Sequence, residues 1–257
     1  MADSNHGNLT AHKRFWEIDL LRTVAIIRMI HSHVLYLLNY FDINTGLIHG
    51  WVFGIGGIIF IFLAGVSLTI AYSRGKTMSG SMVRGLKIFG WGMAITLLTW
   101  LIAPEEYVRF GILHFFGIAF ILAPFFLRFR YINLIVGVVL MAVGIYLIEQ
   151  RIFVDFNPWL FWLVPYSFST FDYWPLVPWF GLFLVGMFAG KMLYPQGNRR
   201  FNIPDFSHPV TSALTLPGRH PLEIYLAQWP ILIGVMFALY HDKILPYVKE
   251  ALSYLPF

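Results

Sequence analysis

The sequence predicts an all-α polytopic membrane protein, a bundle of about seven transmembrane helices, and three observations carry that prediction. Hydrophobic residues make up 58% of the 257 positions and charged residues only 12%, against about 45–50% and 25% in soluble domains. The mean hydropathy is +0.68. The apolar residues fall into stretches long enough to cross a bilayer, with basic residues gathered at alternate ends.

The first span covers 15–38. It is strongly apolar yet holds Asp19, Arg22, Arg28, His31 and His33. Each ionisable group in a lipid-crossing helix costs roughly 2.5–3.5 kcal/mol on insertion scales unless it faces protein or a wet cavity. Helical periodicity puts Asp19, Arg22, Ile26, Met29 and His33 on one stripe and turns Arg28 and His31 away from it. Asp19 and Arg22 stand at i,i+3 and can pair. The second span, 51–72, has small residues at Gly54, Gly56, Gly57, Ala64 and Gly65 that permit close helix packing. Spans at 86–103, 110–127, 132–149, 175–193 and 221–241 complete the seven. The aromatic segment 150–174 has too short an apolar run to cross and reads as an interfacial or re-entrant helix over the outer mouth. Trp159, Trp162 and Trp174 fit an interfacial aromatic belt. The 194–220 loop, rich in Pro, Asn and Arg, is the best candidate for a mobile inner lid.

With a cytoplasmic N-terminus, twelve Lys and Arg fall on the inner side. These are Lys13, Arg14, Arg74, Lys76, Arg84, Lys87, Arg128, Arg130, Lys191, Arg199, Arg200 and Arg219. Four fall outside: Arg109, Arg151, Lys243 and Lys249. The positive-inside rule therefore predicts a multi-pass protein of the cell membrane with an extracytoplasmic C-terminus. The net charge of +5 follows from topology and does not call for nucleic acid. The domain reading is a tail over 1–14 and one integral membrane domain over 15–257. No short apolar run with a small-residue cleavage site follows the polar start, so a cleaved signal peptide is not expected. Cysteine is absent, which excludes disulfide and thiolate chemistry. His31 and His33, at i,i+2, cannot chelate together from one helix, and no metal is expected.

Six stretches occur in a recognisable order: EIDLLRTVAIIRMIHSH, FIFLAGVSL, RGLKIFG, GILHFFGIAF, DYWPLVPWFGLFLVGMFAGK and GRHPLEIYLAQWPIL. From about Glu17 to Gly234 this order resembles the prokaryotic membrane proteins related to heparan-alpha-glucosaminide N-acetyltransferase, part of a wider transmembrane acyltransferase superfamily. The resemblance implies transfer of an acetyl or short acyl group from cytoplasmic acyl-CoA to an amino or hydroxyl group of an extracytoplasmic sugar or glycoconjugate. It also implies a homodimer and a histidine acting as general base or acyl carrier. Arg22 and His33, ten residues between them, resemble the arginine–histidine signature of the wider superfamily, which ranks His33 first. The lysosomal enzymes have asparagine at that position and their active histidine about a dozen residues later. That place is Asn44 here, and the nearest histidine, His49, ranks second. Relatives commonly have histidine near Gln228, and glutamine cannot serve as a base.

Acyl transfer from a thioester requires a base, oxyanion donors and a cationic dock for the CoA phosphates. Candidate catalytic residues are His33, His49 and Asp19. His114, Asp172, Tyr225 and Gln228 are candidates for binding the acceptor. Arg22, Arg84, Lys87, Arg128 and Arg219 are candidates for binding acyl-CoA. Asp42, Glu105 and Glu106 read as solvated. The alternative is a small-solute or proton-coupled transporter, which intramembrane Asp, Arg and His serve equally well. Against it, the chain has no visible repeat pair.

Overall fold

The structure is a computed structural model and describes residues 14–43, 54–152, 158–205 and 208–253. It contains eight α-helices among them: α1 (Trp16–Tyr40), α2 (Ile55–Ser73), α3 (Met78–Ile102), α4 (Ile112–Leu122), α5 (Tyr131–Glu149), α6 (Leu176–Leu193), α7 (Pro209–Arg219) and α8 (Pro221–Ser253). Six of them, α1, α2, α3, α5, α6 and α8, are long and apolar enough to cross a membrane. The fourth predicted span is shorter. α4 and the 3-10 turn that continues it reach only from Ile112 to Phe126, about 22 Å at an α-helical rise. That is shorter than a ~30 Å hydrocarbon layer, although it runs from the 158–174 segment at Asp172 to the end of the bundle where α1 and α3 begin. It is held in the protein interior, where Phe115 and Ala119 are fully buried.

Small residues set how closely the helices approach. A Cβ on Gly65 of α2 would strike the Phe183 carbonyl of α6, and one on Gly186 would strike the Phe62 carbonyl in return. α5 and α6 meet the same way at Gly137 and Gly181. α6 packs against both α2 and α5, and α3 pairs with α4. The resulting core joins Phe115, Ala119 and Phe120 of α4 to Phe180, Phe183, Leu184 and Met187 of α6. In lipid the association of such helices comes from packing at these close approaches rather than from water exclusion.

Two connections differ from expectation. Among the described residues, 150–174 holds no α-helix, only a 3-10 turn at Pro158–Leu160. Its described residues fold as an irregular cap bonded both within itself and to the segment that precedes α4. The Tyr173 hydroxyl donates to the Phe161 and Val164 carbonyls (2.6 and 2.9 Å). The Phe171 and Trp174 amides donate to Glu106 and Phe110 carbonyls (2.9 Å each). The 194–220 connection is no loose lid. Arg199 grips Glu17 with both arms (2.8 and 2.7 Å), and the Trp16 indole donates to the Pro204 carbonyl (3.2 Å). The connection then forms α7, which runs along α1. At its end Gly218 lies so close to Asp19 that a Cβ would overlap the Asp19 carbonyl, and its amide donates to Thr23 Oγ1 (3.0 Å). The chain breaks at His220 and continues as α8. The last crossing is thus a broken helix whose two pieces both follow α1.

Candidate functional site

A cavity of about 570 Å³ opens where α1, α3 and α8 begin and α2 and α4 end. Six cations line it, Arg14, Arg22, Arg74, Lys76, Arg84 and Arg219, against one carboxylate, Asp19. Asp19 is buried and bonded to the Arg22 guanidinium (2.9 Å), with Arg219 at 3.9 Å. Arg22 also donates to Ser67 Oγ on α2 (2.5 Å), so its guanidinium is held by two elements. One carboxylate shared between two arginines leaves net positive charge on the wall. Deeper, the lining turns apolar, with Met29, Phe60, Leu68, Ile112 and Phe116, and it includes Tyr225.

Of the basic residues that the sequence suggested for a donor, Arg22, Arg84 and Arg219 line this cavity; Lys87 and Arg128 do not. Arg128 lies over the Phe129 ring, 4.6 Å from its centroid. Arg14, Arg74 and Lys76 are lining residues that the sequence reading counted only as topology markers. Their signal was present, as basic residues at the ends of spans already known to carry polar groups. Nothing in it separated them from Lys87 and Arg128, because the direction of a side chain at a helix end depends on the neighbouring loop.

Tyr225 connects the cavity to a second polar group of residues. Its ring centroid is 6.5 Å from that of His33, and Trp229, one turn on, lies tilted against His33 at 4.6 Å. His33 and Gln228 are near enough to interact. Even so, His33 Nδ1 and both amide atoms of Gln228 are buried without a hydrogen bond of ordinary geometry. Buried polar atoms are nearly always satisfied, so the His33–Gln228 pair has capacity for a further polar contact. Tyr225 also interacts with the carboxylate of Asp172. Asp172 accepts from the Ile112 amide (2.7 Å) and the Trp174 indole (2.7 Å), which fixes the 158–174 cap to the start of α4. Burial raises the Asp172 carboxyl to about 6, and these hydrogen bonds work in the opposite direction.

His114 is committed elsewhere. The Gly111 amide donates to its Nδ1 (3.2 Å), and its Nε2 lies 3.2 Å from Thr96 Oγ1, which itself donates to the Val108 carbonyl (2.6 Å). These partners assign the proton to Nε2 and leave neither nitrogen for a substrate. Asp19 is fourteen residues from His33, about 21 Å along α1, and it serves the arginines instead. His49 lies outside the described residues. Among those residues no three His, Cys, Asp or Glu side chains are grouped to hold a metal ion.

The family model described as heparan-alpha-glucosaminide N-acetyltransferase, catalytic, matches residues 14–230 of the chain. No curated protein and no solved structure matches it.

Proposed function

The chain belongs to the heparan-alpha-glucosaminide N-acetyltransferase catalytic family, and from that premise we propose that it transfers an acetyl or short acyl group from cytoplasmic acyl-CoA to an amino or hydroxyl group of an extracytoplasmic sugar. The observation that carries the reading is the continuity of the two polar regions. A cavity with six cations and one carboxylate has Tyr225 in its wall, and the ring of Tyr225 borders His33. The phosphates of the donor bind at Arg14, Arg74 and Lys76, with Arg22, Arg84 and Arg219 further along the wall. The pantetheine arm runs along the apolar lining to bring the thioester near Tyr225. The acceptor enters from the opposite end and hydrogen-bonds Gln228, whose amide offers both a donor and an acceptor.

In this reading His33 is the general base. It removes a proton from the acceptor nitrogen or oxygen as that atom bonds to the thioester carbon. The C–S bond then breaks, and the CoA thiolate leaves with the proton that His33 received. The Tyr225 hydroxyl stands between donor and acceptor, and by turning its one proton from the Asp172 carboxylate to the carbonyl oxygen it would steady that oxygen as it gains charge.

The test uses purified protein with labelled acetyl-CoA and a panel of amino sugars and glycans, wild type beside His33→Ala. Transfer by wild type and a loss of roughly 10²-fold or more in the variant is expected. Equal turnover in both would reject His33. Absence of any donor binding or turnover would reject the reaction.

A further inference from the structure

One turn past His33, at the end of α1 remote from the cavity, the helix carries Tyr36 and then Tyr40. Tyr36 stands at i,i+3 from His33, a rise of about 4.5 Å, and side chains at that spacing are neighbours on a helix surface. Tyr36 is half-buried. Among the described residues its hydroxyl makes no hydrogen bond, and its ring meets one other ring, that of Tyr40, stacked at 6.0 Å. Tyr40 is the opposite case. Phe41, Phe171 and Tyr247 meet its ring at 5.3, 5.8 and 5.7 Å. Rings from the end of α1, from the cap and from α8 thus hold Tyr40 in place, and Tyr40 backs Tyr36.

A carboxylate lies near this pair. Glu106, which the sequence reads as solvated, is half-buried and accepts from the Ser169 hydroxyl (2.8 Å). Its backbone carbonyl accepts from the Phe171 amide (2.9 Å), and Phe171 lies against Tyr40. That chain of contacts brings Glu106 to the same end of α1. Its charge is felt at Tyr36, yet no hydrogen bond joins the two side chains, so they stand apart. Among the described residues no cation pairs with Glu106. An aromatic face and a carboxylate with an uncommitted oxygen, set apart from each other, suit a sugar ring. The C–H groups of the ring lie on the aromatic face, and its hydroxyl or ammonium groups donate to the carboxylate.

We propose that Tyr36 and Glu106 form a second sugar-binding subsite, so that the acceptor is recognised as two linked rings rather than one. The reacting ring lies at His33 and Gln228, and the next ring lies between Tyr36 and Glu106. The proposal rests on the acceptor site read above at His33 and extends it. The rise from His33 to Tyr36 is close to the advance of one sugar unit along a glycan. Contacts to the second ring are remote from the reacting atoms, and their binding energy serves to orient the first ring.

The test measures transfer from labelled acetyl-CoA to glucosamine and to the disaccharide of two linked glucosamine rings, by the full-length protein in detergent. Wild type should favour the disaccharide in kcat/KM by roughly tenfold or more. Tyr36→Ala and Glu106→Gln should each reduce that preference several-fold, chiefly by raising KM for the disaccharide. Tyr36→Phe, which keeps the ring and drops the hydroxyl, should fall between. The two sugars are also titrated without donor, with binding read by calorimetry. A disaccharide preference that the variants lose in binding, with no transfer by any of them, would reject the reaction and keep the subsite. Equal use and equal binding of the two sugars by wild type, or a preference that both variants retain, would overturn the subsite. If Tyr36→Ala fails to fold, Glu106→Gln, which conserves the shape of the side chain, still decides.

Discussion

Gly218 has no space for a side chain, because a Cβ there would meet the Asp19 carbonyl and come within 3.0 Å of Thr23 Oγ1. Gly218→Ala must push α7 off α1 and is expected to cost about 1–3 kcal/mol, read as a lower melting temperature in detergent. Asp172 supplies a pH prediction. Its carboxyl is raised to about 6 in the fold from about 4 in the unfolded chain, so the folded state binds more protons between those values. Its contribution is fully present below pH ~4 and is lost as pH rises through about 6, on the order of 1–3 kcal/mol. Asp172→Asn should flatten that slope, measured as melting temperature against pH. Single residues were legible in the sequence where helical phase alone decides. The stripe from Asp19 to His33 needed only a period of 3.6, and Asp19 does meet Arg22. Whether His114 faced a cavity could not be read, since its partners Thr96 and Val108 arrive from another helix and a loop.

The elements were the most readable level, because spans of twenty apolar residues leave little choice. A reading of 132–149 stands beside an observed Tyr131–Glu149, and 175–193 beside Leu176–Leu193. α7 escaped notice. Its stretch PVTSALTLPGR is short, begins with one proline and contains another, so local propensity argues against a helix. Packing along α1 supplies what propensity lacks. The anchoring of 194–205 also rests on a long-range pair that no local pattern announces, Glu17 with Arg199. Both side chains are largely covered, at 14% and 12% exposure. Glu17→Gln removes one bidentate, charge-assisted contact. Trypsin should then cut after Arg199 or Arg200 several-fold faster than in wild type, while the bundle stays intact. Unchanged cleavage would mean that Trp16 and Pro204 hold the segment without the ion pair.

At the scale of the molecule, the cavity concentrates charge that the sequence showed only as topology. Positive-inside bias explains why basic residues gather at one end, and the fold determines which six share a cavity. A polyanion bound there should stabilise the protein. Free CoA is expected to raise the melting temperature by several degrees at low ionic strength, and added salt should shrink that shift. Arg22→Ala should reduce it further while unpairing Asp19, which Arg22→Lys would in part restore. The placement of the cations has one more consequence. In the donor mode proposed above they would hold the phosphate end of the donor, which acyl transfer leaves unchanged, whereas the acetyl group would reach Tyr225 and His33 beyond the apolar lining. Spent CoA would then keep nearly every contact that acetyl-CoA had, and the two would compete for one seat with similar grip. Turnover would then follow the ratio of charged to discharged coenzyme in the cytoplasm rather than the amount of either, coupling sugar modification on the far side of the membrane to the metabolic state on the near side.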